Sequence, residues 1–181
     1  MSLVVGQNLK QLTLQHNICP EENYDTYSLK LTLSPVIFQP KVGETLEIDY
    51  MNSDAEDFYE RSEIKAEGIV VRPGDCVLCC SEEFVNIPLG FFGTVQTKGS
   101  LARLFISMHQ TDCQIEPGFK GAITFELKNN SPHAVRLRRY DNVAQLFVWT
   151  CSTDNTPAYN GRYSGSKIPT VKIVRKARNG S

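Results

Sequence analysis

The sequence predicts an all-β protein, a sandwich or barrel of short strands. Three observations carry that expectation. Apolar and polar residues alternate in several short runs, the period of a half-buried strand. Turn signals separate the runs at roughly 8–12-residue intervals. Only two stretches, the first dozen residues and "GSLARLFISM", compete as helix.

The elements follow in order. "TYSLKLTL" (26–33) alternates, and so does "ETLEIDY" (44–50). "EGIVVRPGDCVLCC" holds two apolar runs around a Pro73-Gly74 turn. "FFGTVQTKGSLARLFISMH" (91–109) is apolar and interrupted at Gly99. "GAITFELKNN" (121–130) reads as a strand ending in an Asn-Asn turn, and "AVRLRRYDNVAQLFVWT" (134–150) as strand, turn, strand. Within the fifth run, Ile123, Phe125 and Leu127 point to one face, and Thr124 and Glu126 to the other. On this pattern Glu126 is either an ordinary solvent-facing strand carboxylate or a base held inside a pocket.

The 181 residues suit one domain with a tail, 1–181 being a single unit and 152–181 its C-terminal arm. Residues 152–167 are rich in Gly, Ser and Asn, and the final "KIPTVKIVRKARNGS" is basic. They form either a mobile tail or an arm that orders over a ligand; Tyr159, Arg162 and Tyr163 favour the arm. Apolar residues make up 41% and charged residues 22%, as in globular proteins generally. Nineteen basic and 20 acidic residues leave a net charge of −1, which argues against nucleic acid as the partner. No run approaches bilayer-spanning length, and the N-terminus lacks a basic stretch before a long apolar core, so the expectation is a cytoplasmic protein with no membrane partner.

Six cysteines stand at 19, 76, 79, 80, 113 and 151. In a reducing compartment they are expected as free thiols. Cys76 and Cys79 form a CxxC, so a metal site and buried small apolar side chains are both open readings; no second CxxC or histidine cluster completes a tetrahedral set. None of the three histidines begins the H-x-E motif of zinc nucleobase deaminases. P-loop, G-x-G-x-x-G and G-x-S-x-G motifs are absent as well. His109, in an apolar run, is expected as a packed histidine.

"KGSLARLF" (98–105), "QIEPGFKGAITFELKNNS" (114–131) and "RYDNVAQLFV" (139–148) stand in fixed order, after the lead-in "VVRPGDCVLCCSEEFVNIPLGFFGTVQTKGS" and before "YNGRYSGS" (159–166). Together they resemble the dCTP deaminase family of the trimeric dUTPase-like superfamily, continuously over about residues 68–167. The resemblance implies a mainly β, distorted jelly-roll or dUTPase-like β-barrel subunit (a β-clip) with few short helices. It implies a homotrimer with sites between neighbours, zinc-free hydrolysis of the 4-amino group of dCTP to dUTP and ammonia, and Mg²⁺ bound through the triphosphate.

The resemblance also implies residue roles. Glu126 matches the catalytic glutamate, a base that takes the proton of the attacking water. Arg103 matches a motif arginine that orients this carboxylate, and Ser100 a serine at the phosphate. Lys98, Gly99, Leu101 and Ala102 complete that motif, Lys98 keeping the charge of a usual arginine without its fork. Glu116 takes the place of an aspartate at the deoxyribose 3′-hydroxyl. Thr124 and Phe125 line the cytosine ring, and Gln145 matches a glutamine near the phosphates. Tyr159 and Arg162 match the tyrosine and lysine of the closing segment.

Three positions depart from the pattern: Gly99 replaces a serine that helps hold the water, Ser166 a nucleotide-contacting glutamine, and Ser28 an aspartate. Plain dUTPases lack a counterpart of Glu126, so deamination ranks above diphosphate release. A dUTPase, a bifunctional enzyme and a non-catalytic nucleotide-binding trimer remain the alternatives.

Overall fold

The computed structural model describes residues 2–43, 47–49, 55–155 and 157–171. An N-terminal helix α1 (Gly6–His16) is followed by strands β1 (Tyr24–Asp25), β2 (Ser28–Thr32), β3 (Val36–Pro40), β4 (Tyr59–Glu63), β5 (Ile69–Val71), β6 (Cys76–Asn86) and β7 (Phe91–Thr97). After a single-turn helix α2 (Gly99–Ala102) come β8 (Ile106–Ser107), β9 (Gln114–Ile115), β10 (Lys120–Asn129), β11 (Val135–Leu137) and β12 (Asn142–Thr150). One sheet runs β1-β2-β12-β7-β9 and a second β4-β3-β6-β10-β8; β11 and β5 form a separate ladder. Neighbouring strands are antiparallel throughout.

The two five-stranded sheets bury their apolar faces in one core. Leu29, Leu31, Val95, Leu146 and Val148 come from the first, and Val77, Cys79, Val85, Ile123, Phe125 and Leu127 from the second. The all-β expectation holds, with jelly-roll-like sheets; among the described residues the sheets remain two and do not close into a barrel. Both stretches that compete as helix contain one. α1 buries Leu9 and Thr13 and stops at Asn17, whose left-handed backbone (φ 49°) turns its N–H onto Thr13 O. The SLAR stretch makes only the four-residue α2 before β8.

The "strand, turn, strand" over 134–150 yields both strands, but they do not pair with each other. β11 pairs with β5, while β12 enters the first sheet between β2 and β7. The strand expected over 44–50 falls largely outside the described residues, and 47–49 carry no regular structure.

β6 and β10 form the long ladder of the second sheet. Its register is broken once, where Ser81, Glu82 and Glu83 of β6 oppose Ile123 of β10. Ser81 Oγ mends the break by accepting the Ile123 N–H (2.9 Å) and donating to Glu83 O (2.8 Å). The buried Glu83 carboxylate accepts from Asn23 Nδ2, Thr32 N and Thr32 Oγ1, so its burial is compensated. Cys76 and Cys79 point to opposite faces, as strand geometry requires. Cys76 is exposed beside its cross-strand partner Lys128, and Cys79 and Cys80 are buried, their thiols pushed up chiefly by burial. Among the described residues, no three His, Cys, Asp or Glu side chains gather where they could hold a metal.

Candidate active site

β10 behaves as its alternation dictates. Ile123, Phe125 and Leu127 are buried in the core, and Thr124, Glu126 and Lys128 are partly exposed on the other face. Glu126 is not a plain solvent carboxylate. Its backbone N–H donates to Met108 O (2.9 Å), which brings the segment leaving β8 alongside β10. That segment then turns its next two amides inward: Gln110 N–H (2.8 Å) and Thr111 N–H (3.2 Å) both donate to Glu126 Oε2. Gln110 Nε2 adds a longer bond to Glu126 O (3.4 Å). Successive backbone donors on one oxygen fix a carboxylate without spending a side chain on it. Among the described residues, Oε1 has no hydrogen-bond partner.

The carboxylate faces a cavity of about 340 Å³, in the range of small-molecule sites. Thr124, Phe125 and Glu126 form one wall, His109, Asp112 and Cys113 of the following loop a second, and Glu116 and Phe119 a third. His109 is therefore a cavity-lining residue just beyond β8 rather than a packed strand histidine.

The C-terminal segment seals one side. Tyr159 N–H donates to Pro117 O (2.8 Å), and its ring meets Phe119 at 5.8 Å between centroids. Gly165 N–H donates to Lys120 O, and Ala122 N–H to Ser166 O (2.8 Å), so the segment runs along the open edge of β10. Thr170 N–H reaches Thr124 Oγ1 (3.1 Å), and Thr170 and Val171 line the cavity. Two glycines of "EPGFKG" permit this approach. Gly118 has φ +84°, and a Cβ there would lie 2.7 Å from Ala158 Cβ. A Cβ at Gly121 would press to 3.3 Å from the carbonyl oxygens of Tyr163 and Ser166.

The residues expected to share a site divide into two groups. Glu116, Thr124, Phe125, Glu126 and Tyr159 line the cavity. Lys98, Gly99, Ser100, Leu101, Ala102 and Arg103 do not: they form α2 and its flanks, with Gly99, Ser100, Ala102 and Arg103 exposed and Leu101 packed against the core. Within one chain, Arg103 makes no ion pair with Glu126 among the described residues; its guanidinium lies over Gly99, 3.5 Å from where a Cβ would stand. Gln145, on β12, donates to Ser28 Oγ (2.9 Å) away from the cavity. Arg162 is exposed, its guanidinium 5.7 Å from the Tyr163 ring centre. Ser166 Oγ donates to Ile168 O (2.7 Å) and accepts from Thr170 Oγ1 (3.2 Å), which ties the segment to itself.

Sequence reasoning missed the Gln110 and Thr111 amides, because a backbone donor has no residue signature. It also missed Tyr59 and Ile48, which line the cavity as well. Tyr59 arrives through the cross-strand pairing of β4 in the second sheet, and Ile48 lies in the irregular stretch 47–49.

The family described as dCTP deaminase-like matches residues 3–151. A dCTP deaminase, dUMP-forming, of Methanospirillum hungatei is 36% identical over 100 residues, covering 55% of this chain and 54% of that protein. A dCTP deaminase of Halorubrum lacusprofundi is 42% identical over 117 residues, covering 65% and 57%. The matched stretch thus spans little more than half the length of these relatives. The crystal structure of the 2′-deoxycytidine 5′-triphosphate deaminase from Agrobacterium tumefaciens superposes with a TM-score of 0.59 at 16% identity, over 81% of this chain and 46% of that one; that likeness speaks to fold. With a match over most of its length, the chain belongs to the dCTP deaminase-like family.

Proposed function

We propose that this protein is a hydrolase that deaminates dCTP to dUTP and ammonia, with Glu126 as general base. The observation that carries the reading is Glu126, its carboxylate held by two backbone amides through Oε2, on a cavity that Thr124 and Phe125 also line. A water between Glu126 and C4 of the cytosine loses its proton to the carboxylate as its oxygen bonds to C4. That proton passes to the ring nitrogen; the carboxylate then carries the proton of the new C4 hydroxyl to the amine, the C4–N bond breaks, ammonia leaves and the oxygen stays on C4 as the carbonyl. Thr124 and Phe125 border the ring, and Glu116 lies on the cavity wall where a sugar hydroxyl would be met.

This chemistry requires no zinc. Mg²⁺ would arrive with the triphosphate. Ser100 and Arg103 enter the reaction from a neighbouring copy in a homotrimer. Their exposure on α2, away from their own chain's Glu126, supports that arrangement. Of the arm 152–181, residues 172–181 lie outside the described residues; a role of its described part over the site is supported by the contacts of Gly165, Ser166 and Thr170 with β10.

A second reading, release of dUMP and diphosphate after deamination, is favoured by the dUMP-forming relatives and by the second carboxylate, Glu116, on the same cavity. Incubation with dCTP, dUTP, dCMP and CTP in magnesium, followed by ion-exchange separation, tests both. Appearance of dUTP and ammonia from dCTP is expected, and dUMP would add the phosphate-directed step. No product from any nucleotide would overturn the enzyme.

A further inference from the structure

A second cavity, of about 70 Å³, lies beside the first, and the two share a wall of Tyr59, Leu78 and Glu126. Cys76, Gln110 and Lys128 are among its other lining residues. It has room for about two waters and is too small for a nucleotide. Sheet register explains how Tyr59 arrives. Arg61 pairs with Phe38, Phe38 with Leu78, and Leu78 with Glu126, so these four form one row across β4, β3, β6 and β10. Cross-strand partners share a face, and Tyr59, two residues from Arg61, lies on that face too.

Building on the deaminase reading, we infer that the Tyr59 hydroxyl is a further catalytic group, holding the attacking water from the side opposite Glu126. Tyr59 and Glu126 line both cavities, and among the described residues neither the Tyr59 hydroxyl nor Glu126 Oε1 has a protein hydrogen-bond partner. A water between them gives one proton to the carboxylate. The phenol, donor and acceptor both, fixes its other side and leaves a lone pair for C4. The small cavity supplies that water from the side away from the nucleotide. Burial first, then the nearby Cys76 and Glu126, push the pKa of the Tyr59 phenol up, so it keeps its proton and does not compete as a base. The role differs from that of Gln110 and Thr111, which hold the base itself.

The test is Tyr59→Phe in the full chain, which keeps the ring and removes only the hydroxyl, with Tyr59→Leu beside it. Ammonia release from dCTP should fall about 10- to 100-fold in kcat for both variants, with KM within about twofold of wild type and thermal midpoint unchanged for Phe. If Tyr59 only packs, Phe will match wild type and Leu alone will lose activity; that outcome overturns the inference and leaves the deaminase reading intact. If wild type itself releases no ammonia from dCTP, the deaminase reading falls and takes the inference with it.

Discussion

β10 and the α2 turn carry two parts of one motif set, yet they stand in opposite conditions. β10 is finished within its own chain: its apolar face is buried, its carboxylate is anchored by two amides, and its open edge is covered by residues 165–170. α2 is unfinished. Ser100 and Arg103 face outward, and the next two residues, Leu104 and Phe105, expose 51% and 66% of their surface. Phe105 also holds a left-handed backbone, φ 57°, that a bulky side chain rarely adopts. β10 thus holds its carboxylate with its own chain's backbone, whereas α2 leaves a cation beside an exposed apolar turn.

The largest expected effect breaks or confirms that contrast. Glu126→Gln should lower turnover by about 10²–10⁴-fold with nucleotide affinity and oligomeric size retained, since the amide keeps the shape and loses the base. Arg103→Ala should cost about 10²-fold or more without lowering the thermal midpoint, because its exposed side chain supports nothing in its own chain. Mixed and reassembled, the two dead variants should recover roughly a quarter of wild-type turnover by random assortment in a closed ring. A mixture that stays inactive would mean that both halves act within one chain.

Next in size is Gly118→Ala. The left-handed φ and the 2.7 Å approach to Ala158 should cost about 1–3 kcal/mol in a urea titration and loosen the segment from Tyr159 onward. The α2 turn would not feel it. Alkaline pH probes the buried core, to which the exposed α2 turn contributes little. Burial pushes the thiols of Cys19 and Cys80 up to about 12 from an ordinary value of 9. Because the folded state resists their ionisation, their contribution is full below pH 9 and is lost as pH rises from about 9 towards 12. Denaturation midpoints should therefore fall between pH 8 and 11, and Cys80→Ala should flatten the slope.

The smallest effect is a gain. Gly99→Ser restores the family's residue at a position with space for it, the guanidinium of Arg103 lying in ordinary contact at 3.5 Å. One added hydrogen bond is worth about 1 kcal/mol, so kcat should rise by up to about fivefold. A fall would mean that the glycine suits this chain's own site.

Much of this was legible in the residues, for local reasons. Alternation placed Glu126 opposite the buried Ile123, Phe125 and Leu127, because a strand has period two whatever surrounds it. β2 followed from the same rule, and β6 and both strands of 134–150 from apolar runs bounded by turn signals such as Pro73-Gly74. Motif order assigned the deaminase-like family and five residues that line the cavity. What the alternation could not say was which strand lies beside which. β11 and β12 look like a hairpin and are not one, because the pairing is decided by where each buried face finds the rest of the core.

Sequence by itself determined the all-β class, the strand face that bears Glu126 and the family. Tertiary structure alone decided the rest. It turned the Gln110 and Thr111 amides onto Oε2, carried Tyr59 across three strand pairings to the shared wall, and left Arg103 on the outside. Each of those outcomes rests on backbone groups or cross-strand register. These are properties of two distant segments together, and neither segment records them alone.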